Sequence, residues 1–75
     1  MNSETILEKI NEKKSQLKKR KVIKIGLFGS YLKGKQKANS DIDLIVDFEK
    51  VTFKNYMELL FMLERIFNKK IDLVI

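Results

Sequence analysis

Two aspartates one residue apart, Asp41 and Asp43, stand at the head of an apolar run, Ile42 to Phe48. On an extended strand, side chains two apart share a face, so this pair projects together. Like charges at that spacing repel, and a cation between them removes the cost. A third carboxylate, Asp72, interrupts the last apolar run, Ile71 to Ile75. A short strand of Ile, Leu and Val has no structural use for a charge. If that strand lies beside the one carrying Asp43, Asp72 reaches the same cluster. Three carboxylates can hold two divalent ions about 3.5–4 Å apart, the arrangement that promotes in-line phosphoryl or nucleotidyl displacement. The chain has no His and no Cys. The ligands are therefore oxygens and the cation a hard one, Mg²⁺ or Mn²⁺. The same absence removes a disulfide framework, a thiolate metal site and His general-base chemistry.

Upstream, Gly29 and Ser30 close another apolar run, Val22 to Phe28. Backbone N–H groups opening a helix attract phosphate, Gly lets the phosphate approach, and the Ser30 hydroxyl adds a donor. Lys33, just before Gly34, adds positive charge beside a triphosphate. Each sign alone has a plainer reading. A Gly-Ser turn is usually a turn, and an Asp-x-Asp on a strand usually faces solvent, as Asp47 on the same face would. The combination at this spacing is more specific than its parts.

The elements that must position these residues follow from periodicity. Residues 3–19 read as a helix capped by Ser3 or Thr5, with Thr5 and Glu8 at capping-box spacing. Its narrow stripe of Ile6, Leu7, Ile10 and Leu17 is interrupted by Lys14, so it covers a surface. Val22 to Phe28 is a strand, Tyr31 to Lys33 a short helical turn stopped by Gly34, and Lys35 to Ser40 a polar connection. Asp41 to Phe48 alternates, with Ile42, Leu44, Val46 and Phe48 on the core face. Thr52 to Phe67 is a helix with Phe53, Tyr56, Met57, Leu60, Leu63 and Phe67 on one face. A second apolar group, Leu59, Met62 and Ile66, is either sandwiched or left for a partner. Asn68 ends this helix in a left-handed conformation, and Ile71 to Ile75 is the third strand. The order α-β-α-β-α-β makes one small α/β domain, residues 1–75, with helices covering a three-stranded sheet.

Sixteen Lys and Arg against ten Asp and Glu leave a net charge of +6. That balance suits an anionic partner (nucleotide, RNA or an acidic protein face) or simply keeps lysines on solvated faces. The run Lys18, Lys19, Arg20, Lys21 reads better as a helix C-terminus favoured by the dipole than as a nucleic-acid contact, since no aromatic residue interleaves it. The first residues are polar and no apolar run approaches a membrane span, so a reducing cytoplasm is the default. A chain this short buries only about 60% of its unfolded surface and profits from a partner.

Gly29-Ser30, Gly34 and Ser40-Asp41-Ile42-Asp43-Leu44, in this spacing, resemble the signature of the nucleotidyltransferase superfamily that includes DNA polymerase β and the aminoglycoside nucleotidyltransferases. The nearest likeness is to its minimal members, the MNT proteins, and it spans nearly the whole chain. The resemblance implies the nucleotidyltransferase fold, an α+β arrangement on a small mixed three-stranded sheet. It implies ATP as substrate and Mg²⁺, as two ions, as cofactor. Gly29 and Ser30, with Lys33 and Ser40, would contact the nucleotide. Asp41 and Asp43 would bind metal, and Asp72 would complete the site and help deprotonate the attacking hydroxyl. Lys33 stands where many minimal members carry Arg; it keeps the charge and loses the bidentate geometry. The resemblance further implies a small helical HEPN protein as partner, with this chain as antitoxin transferring AMP to a hydroxyl of that partner. The competing readings are an antitoxin that works by contact without catalysis, and a nucleic-acid-binding module driven by lysines. The oligomeric state stays open.

Overall fold

The protein is described from a computed structural model that covers residues 1–75. The elements are α1 (Ser3–Glu12), α2 (Lys14–Lys19), β1 (Val22–Phe28), α3 (Gly29–Lys33), β2 (Ile42–Phe48), α4 (Phe53–Phe67) and β3 (Ile71–Val74). The sheet order is β1-β2-β3. β1 and β2 are antiparallel, β2 and β3 parallel, so the sheet is mixed. The parallel pair needs a crossover, and α4 supplies it. No helix is long and apolar enough to cross a membrane.

Alternation in β2 decides which face is the core. Ile42, Leu44, Val46 and Phe48 are buried, and so are Ile71 and Leu73 of β3. They join Ile6, Ile10 and Leu17 from the first two helices and Leu59, Leu63 and Phe67 from α4 in one apolar cluster. That cluster contains no polar or charged residue. The buried positions of these helices all lie in it, so the helical layer covers one face of the sheet. The other face carries Asp43, Ile45 and Asp47 of β2 and Asp72 and Val74 of β3, none of them buried.

The expected first helix is two helices. The chain turns at Lys13, whose N–H donates to the Ile10 carbonyl at 3.1 Å. Its cap is Asn2, not Ser3 or Thr5: Asn2 Oδ1 accepts from the Thr5 N–H at 2.9 Å and from the Thr5 hydroxyl at 3.0 Å. Thr5 therefore sits inside the first turn, and the Thr5–Glu8 capping box does not form. Ile6, Ile10 and Leu17 enter the core, while Leu7 stays 44% exposed.

α4 begins where Thr52 Oγ1 accepts from the Asn55 N–H at 3.0 Å, and ends at Asn68 in the left-handed region with φ 51°. Its buried face is centred one residue away from the expected stripe, on the i, i+4 row Leu59, Leu63, Phe67. Tyr56, Leu60, Met62 and Ile66 form its half-buried shoulders. Phe53 in the first turn lies 82% exposed, outside the core. The two apolar faces expected of this helix are thus one broad face. α3 starts at Gly29, earlier than Tyr31, and Gly34 ends it with φ 70° as expected.

Candidate functional site

The parallel register sets Asp43 of β2 directly opposite Asp72 of β3. Both belong to the alternate set that points away from the core. The antiparallel register sets Phe28, the last residue of β1, on the other side of Asp43. Gly29 and Ser30 follow at once, so the turn into α3 lands against the carboxylate. A cross-strand pair is thereby made from residues twenty-nine positions apart in the chain.

Burial raises the Asp43 pKa first; the charge of Asp72 and a hydrogen bond between the two carboxyl groups raise it further. The charge of Asp41 pushes the same way, and the Ser30 backbone N–H, donated to the Asp43 carboxylate, pulls it down. The two residues form a carboxylate dyad in which burial and the facing Asp72 disfavour the charged form of Asp43.

Gly29 is fixed here on two counts. Its φ of 74° lies in the left-handed region. A Cβ at this position would also run onto Asp43 Oδ2 and lie 2.8 Å from Asp43 Cγ. Only a residue without a side chain lets the turn approach the dyad this closely. The Gly29–Ser30 turn and the carboxylates are therefore contiguous parts of one site.

The other residues singled out from the sequence stand further off. Asp41 precedes the first residue of β2 and is exposed, so it adds charge from the loop. No three carboxylates converge tightly enough to make a ready-built metal cluster. The arrangement is a close pair with Asp41 beside it. Ser40 Oγ accepts from the Lys37 N–H at 2.8 Å, and the Ser40 N–H donates to the Lys37 carbonyl at 3.0 Å. Its hydroxyl oxygen thus shapes the turn that delivers Asp41. Lys33 ends α3, exposed to solvent.

Two supporting residues were not anticipated. The Tyr56 hydroxyl donates to the Leu73 carbonyl at 2.6 Å and braces β3 next to Asp72. A tyrosine among Phe, Leu and Met on a core-facing helix was the available signal, because a buried phenol seeks an acceptor. Lys69 Nζ donates to the Ala38 carbonyl at 2.8 Å, tying the loop before Asp41 to the turn before β3. Nothing in the local sequence marks it. Beyond the dyad, a cavity of about 470 Å³ is bordered by Gly26, Ile45 and Ile75. Lys24 and Asp47 line it as well, so it sits further along the sheet than Asp43 and Asp72, neither of which borders it.

The donor set suits a hard divalent cation. It offers oxygen only, as two carboxyl groups set opposite one another across the strand pair. The Gly29–Ser30 turn lies directly beside it, with the Ser30 N–H turned to Asp43.

The sequence carries the same assignment. Residues 8–75 match the family described as Polymerase beta, Nucleotidyltransferase. Two Methanocaldococcus jannaschii proteins, provisionally named protein adenylyltransferases MJ1379 and MJ1215, are each 44% identical to the chain, over 73 and 71 residues. Each alignment covers 92% of this chain, and 73% and 83% of those proteins respectively. The protein adenylyltransferase MntA of Thermococcus cleftensis is 43% identical over 54 residues, 71% of this chain and 54% of that protein. No solved structure matches. The chain belongs to the polymerase β nucleotidyltransferase family, among its minimal members. It is a nucleotidyltransferase, and its substrate is a nucleoside triphosphate.

Proposed function

We propose that this member of the polymerase β nucleotidyltransferase family transfers AMP from ATP to a hydroxyl of a partner protein, in a Mg²⁺-dependent reaction. The observation that carries the reading is the Asp43–Asp72 dyad set against the Gly29–Ser30 turn. The protein acceptor follows the names of the relatives, which are protein adenylyltransferases. The HEPN-type partner and the antitoxin role follow the likeness to minimal family members.

Asp43 and Asp72, with Asp41 alongside, would hold the Mg²⁺. Bound there, the cation neutralises phosphate charge and makes the acceptor hydroxyl more acidic. With the α-phosphate over the dyad, Gly29 and the Ser30 hydroxyl would contact the β- and γ-phosphates, a reading supported by the closeness of this turn to Asp43. The acceptor oxygen bonds to the α-phosphorus as the bond from that phosphorus to the bridging oxygen breaks. Pyrophosphate departs towards the Gly29–Ser30 side, and the acceptor proton passes to Asp72.

The test is a transfer assay with α-labelled ATP, Mg²⁺ and the protein encoded next to this chain's gene, with Asp43→Asn as control. The proposal expects covalent label on the partner, abolished by Asp43→Asn and by EDTA. A complex that forms without label transfer, and is unchanged by Asp43→Asn, overturns it in favour of an antitoxin acting by contact.

A further inference from the structure

Two sequence features stand outside the catalytic reading: the basic run Lys18 to Lys21 and the apolar group Leu59, Met62, Ile66. Part of each meets in one place. A cleft of about 400 Å³ between the α2 end and α4 is lined by Arg20, Lys13 and Arg65 around Phe61, Met62 and Ile66. Glu58 is the one acid in it. The cleft belongs to the helical layer, so it lies on the other side of the sheet from Asp43 and Asp72.

Its floor and its rim differ. Met62 and Ile66 are half-buried, while Phe61 is 56% exposed. Three cations against one anion leave positive charge uncompensated. Arg20 Nη1 donates to the Gln16 carbonyl at 3.1 Å, but Arg20 Nε is buried without an acceptor. Buried donors without partners are rare in folded proteins and ask for an explanation.

We propose that this cleft docks a protein partner through an acidic, apolar-centred segment. An apolar side chain of that segment packs on Phe61, Met62 and Ile66. Flanking carboxylates accept from the guanidinium groups of Arg20 and Arg65, whose planar forks match a carboxylate. Arg and an exposed aromatic ring are residue types that anchor protein interfaces. Nucleic acid fits less well, because the basic run is divided. Lys18 lines a separate cavity with Leu7 and Leu17, so these cations make no single stripe along which a phosphate backbone could run. The docking does not depend on nucleotidyl transfer.

The experiment titrates the protein with a short helical peptide of leucine and glutamate, the same peptide with lysine for glutamate, and a uridine oligonucleotide. Binding is read by fluorescence anisotropy and by backbone amide shifts. The expected result is binding of the glutamate peptide alone, with shifts gathered on α2 and the second half of α4. Arg65→Glu and Phe61→Ser weaken it by roughly tenfold or more, and Asp43→Asn leaves it unchanged. Both replaced side chains are exposed, and circular dichroism verifies that the variants fold. Arg65→Gln, which keeps the chain length, gives a smaller loss in the same direction. Equal binding of the two peptides, shifts centred on Asp43 and Asp72, no binding, or preference for the oligonucleotide would each overturn the proposal.

Discussion

β2 and β3 turn Ile42, Leu44, Val46, Phe48, Ile71 and Leu73 to one side and Asp43, Ile45, Asp47, Asp72 and Val74 to the other. The first side is apolar without exception and lies under the helices. The second sets two carboxyl groups face to face and has no helix over it. One strand pair thus has a face where burial lowers the free energy and a face where a cross-strand pair raises it. Like charges directly opposite in a sheet are destabilising. Such an arrangement survives in a marginally stable small chain when it has a use.

The largest way to break this contrast is on the apolar side. Leu44 is 0% exposed, and Leu44→Ala is expected to cost about 2–5 kcal/mol. That is a large part of the whole stability of a domain this size. A denaturant titration should show a much lower midpoint, and transfer should be lost with the fold.

Gly29→Ala tests the contact between turn and dyad. The left-handed backbone alone costs about 1–2 kcal/mol for a residue with a Cβ. The new methyl group must also displace Asp43. Melting should fall by less than for Leu44→Ala, while transfer falls more than the lost stability explains. A variant with normal stability and normal transfer would show that the turn is not held against Asp43.

The acidic side has a pH signature of defined sign. The Asp43 pKa is raised in the folded chain, by burial and then by Asp72. The folded state therefore holds the proton more tightly than the unfolded state. Without metal, this stabilising contribution is fully present below the ordinary carboxylate range and is lost as pH rises through the raised value. Denaturation in EDTA from acid to neutral pH should show that decline for the wild type, and Asp43→Asn should remove it.

The smallest effect concerns the brace between the faces. Tyr56→Phe deletes one hydrogen bond to the Leu73 carbonyl and should cost about 0.5–1.5 kcal/mol. Amide exchange should speed up in β3 more than in β1, since the lost bond is to Leu73 and β3 has only four residues.

The contrast between the faces was largely written in the sequence. Strict alternation from Ile42 to Phe48 and a lone carboxylate within Ile71 to Ile75 are period-2 signals, and a one-residue slip would invert them. Gly34 and Asn68 were legible as helix ends because both take left-handed backbones. The break at Lys13 was not, since no Gly or Pro announces it. The cap at Asn2 was misread because Asn, Ser and Thr crowd the same four positions with similar capping strength. The centre of α4 shifted to Leu59 because packing against the sheet decided among several apolar rows. The opposition of Asp43 and Asp72 needed the parallel register, which no local pattern states. The ties made by Tyr56 and Lys69 span seventeen and thirty-one positions and are equally invisible locally.

The central claim is that the dyad is destabilising alone and becomes favourable once a divalent cation occupies it. Thermal melting of the wild type and Asp43→Asn at neutral pH, in EDTA and in Mg²⁺, tests it directly. In EDTA the variant should melt above the wild type. Mg²⁺ should raise the wild type, because a ligand that binds only the folded state stabilises it, and should leave the variant where it was. A variant that melts below the wild type in EDTA, with both responding equally to Mg²⁺, would contradict the account.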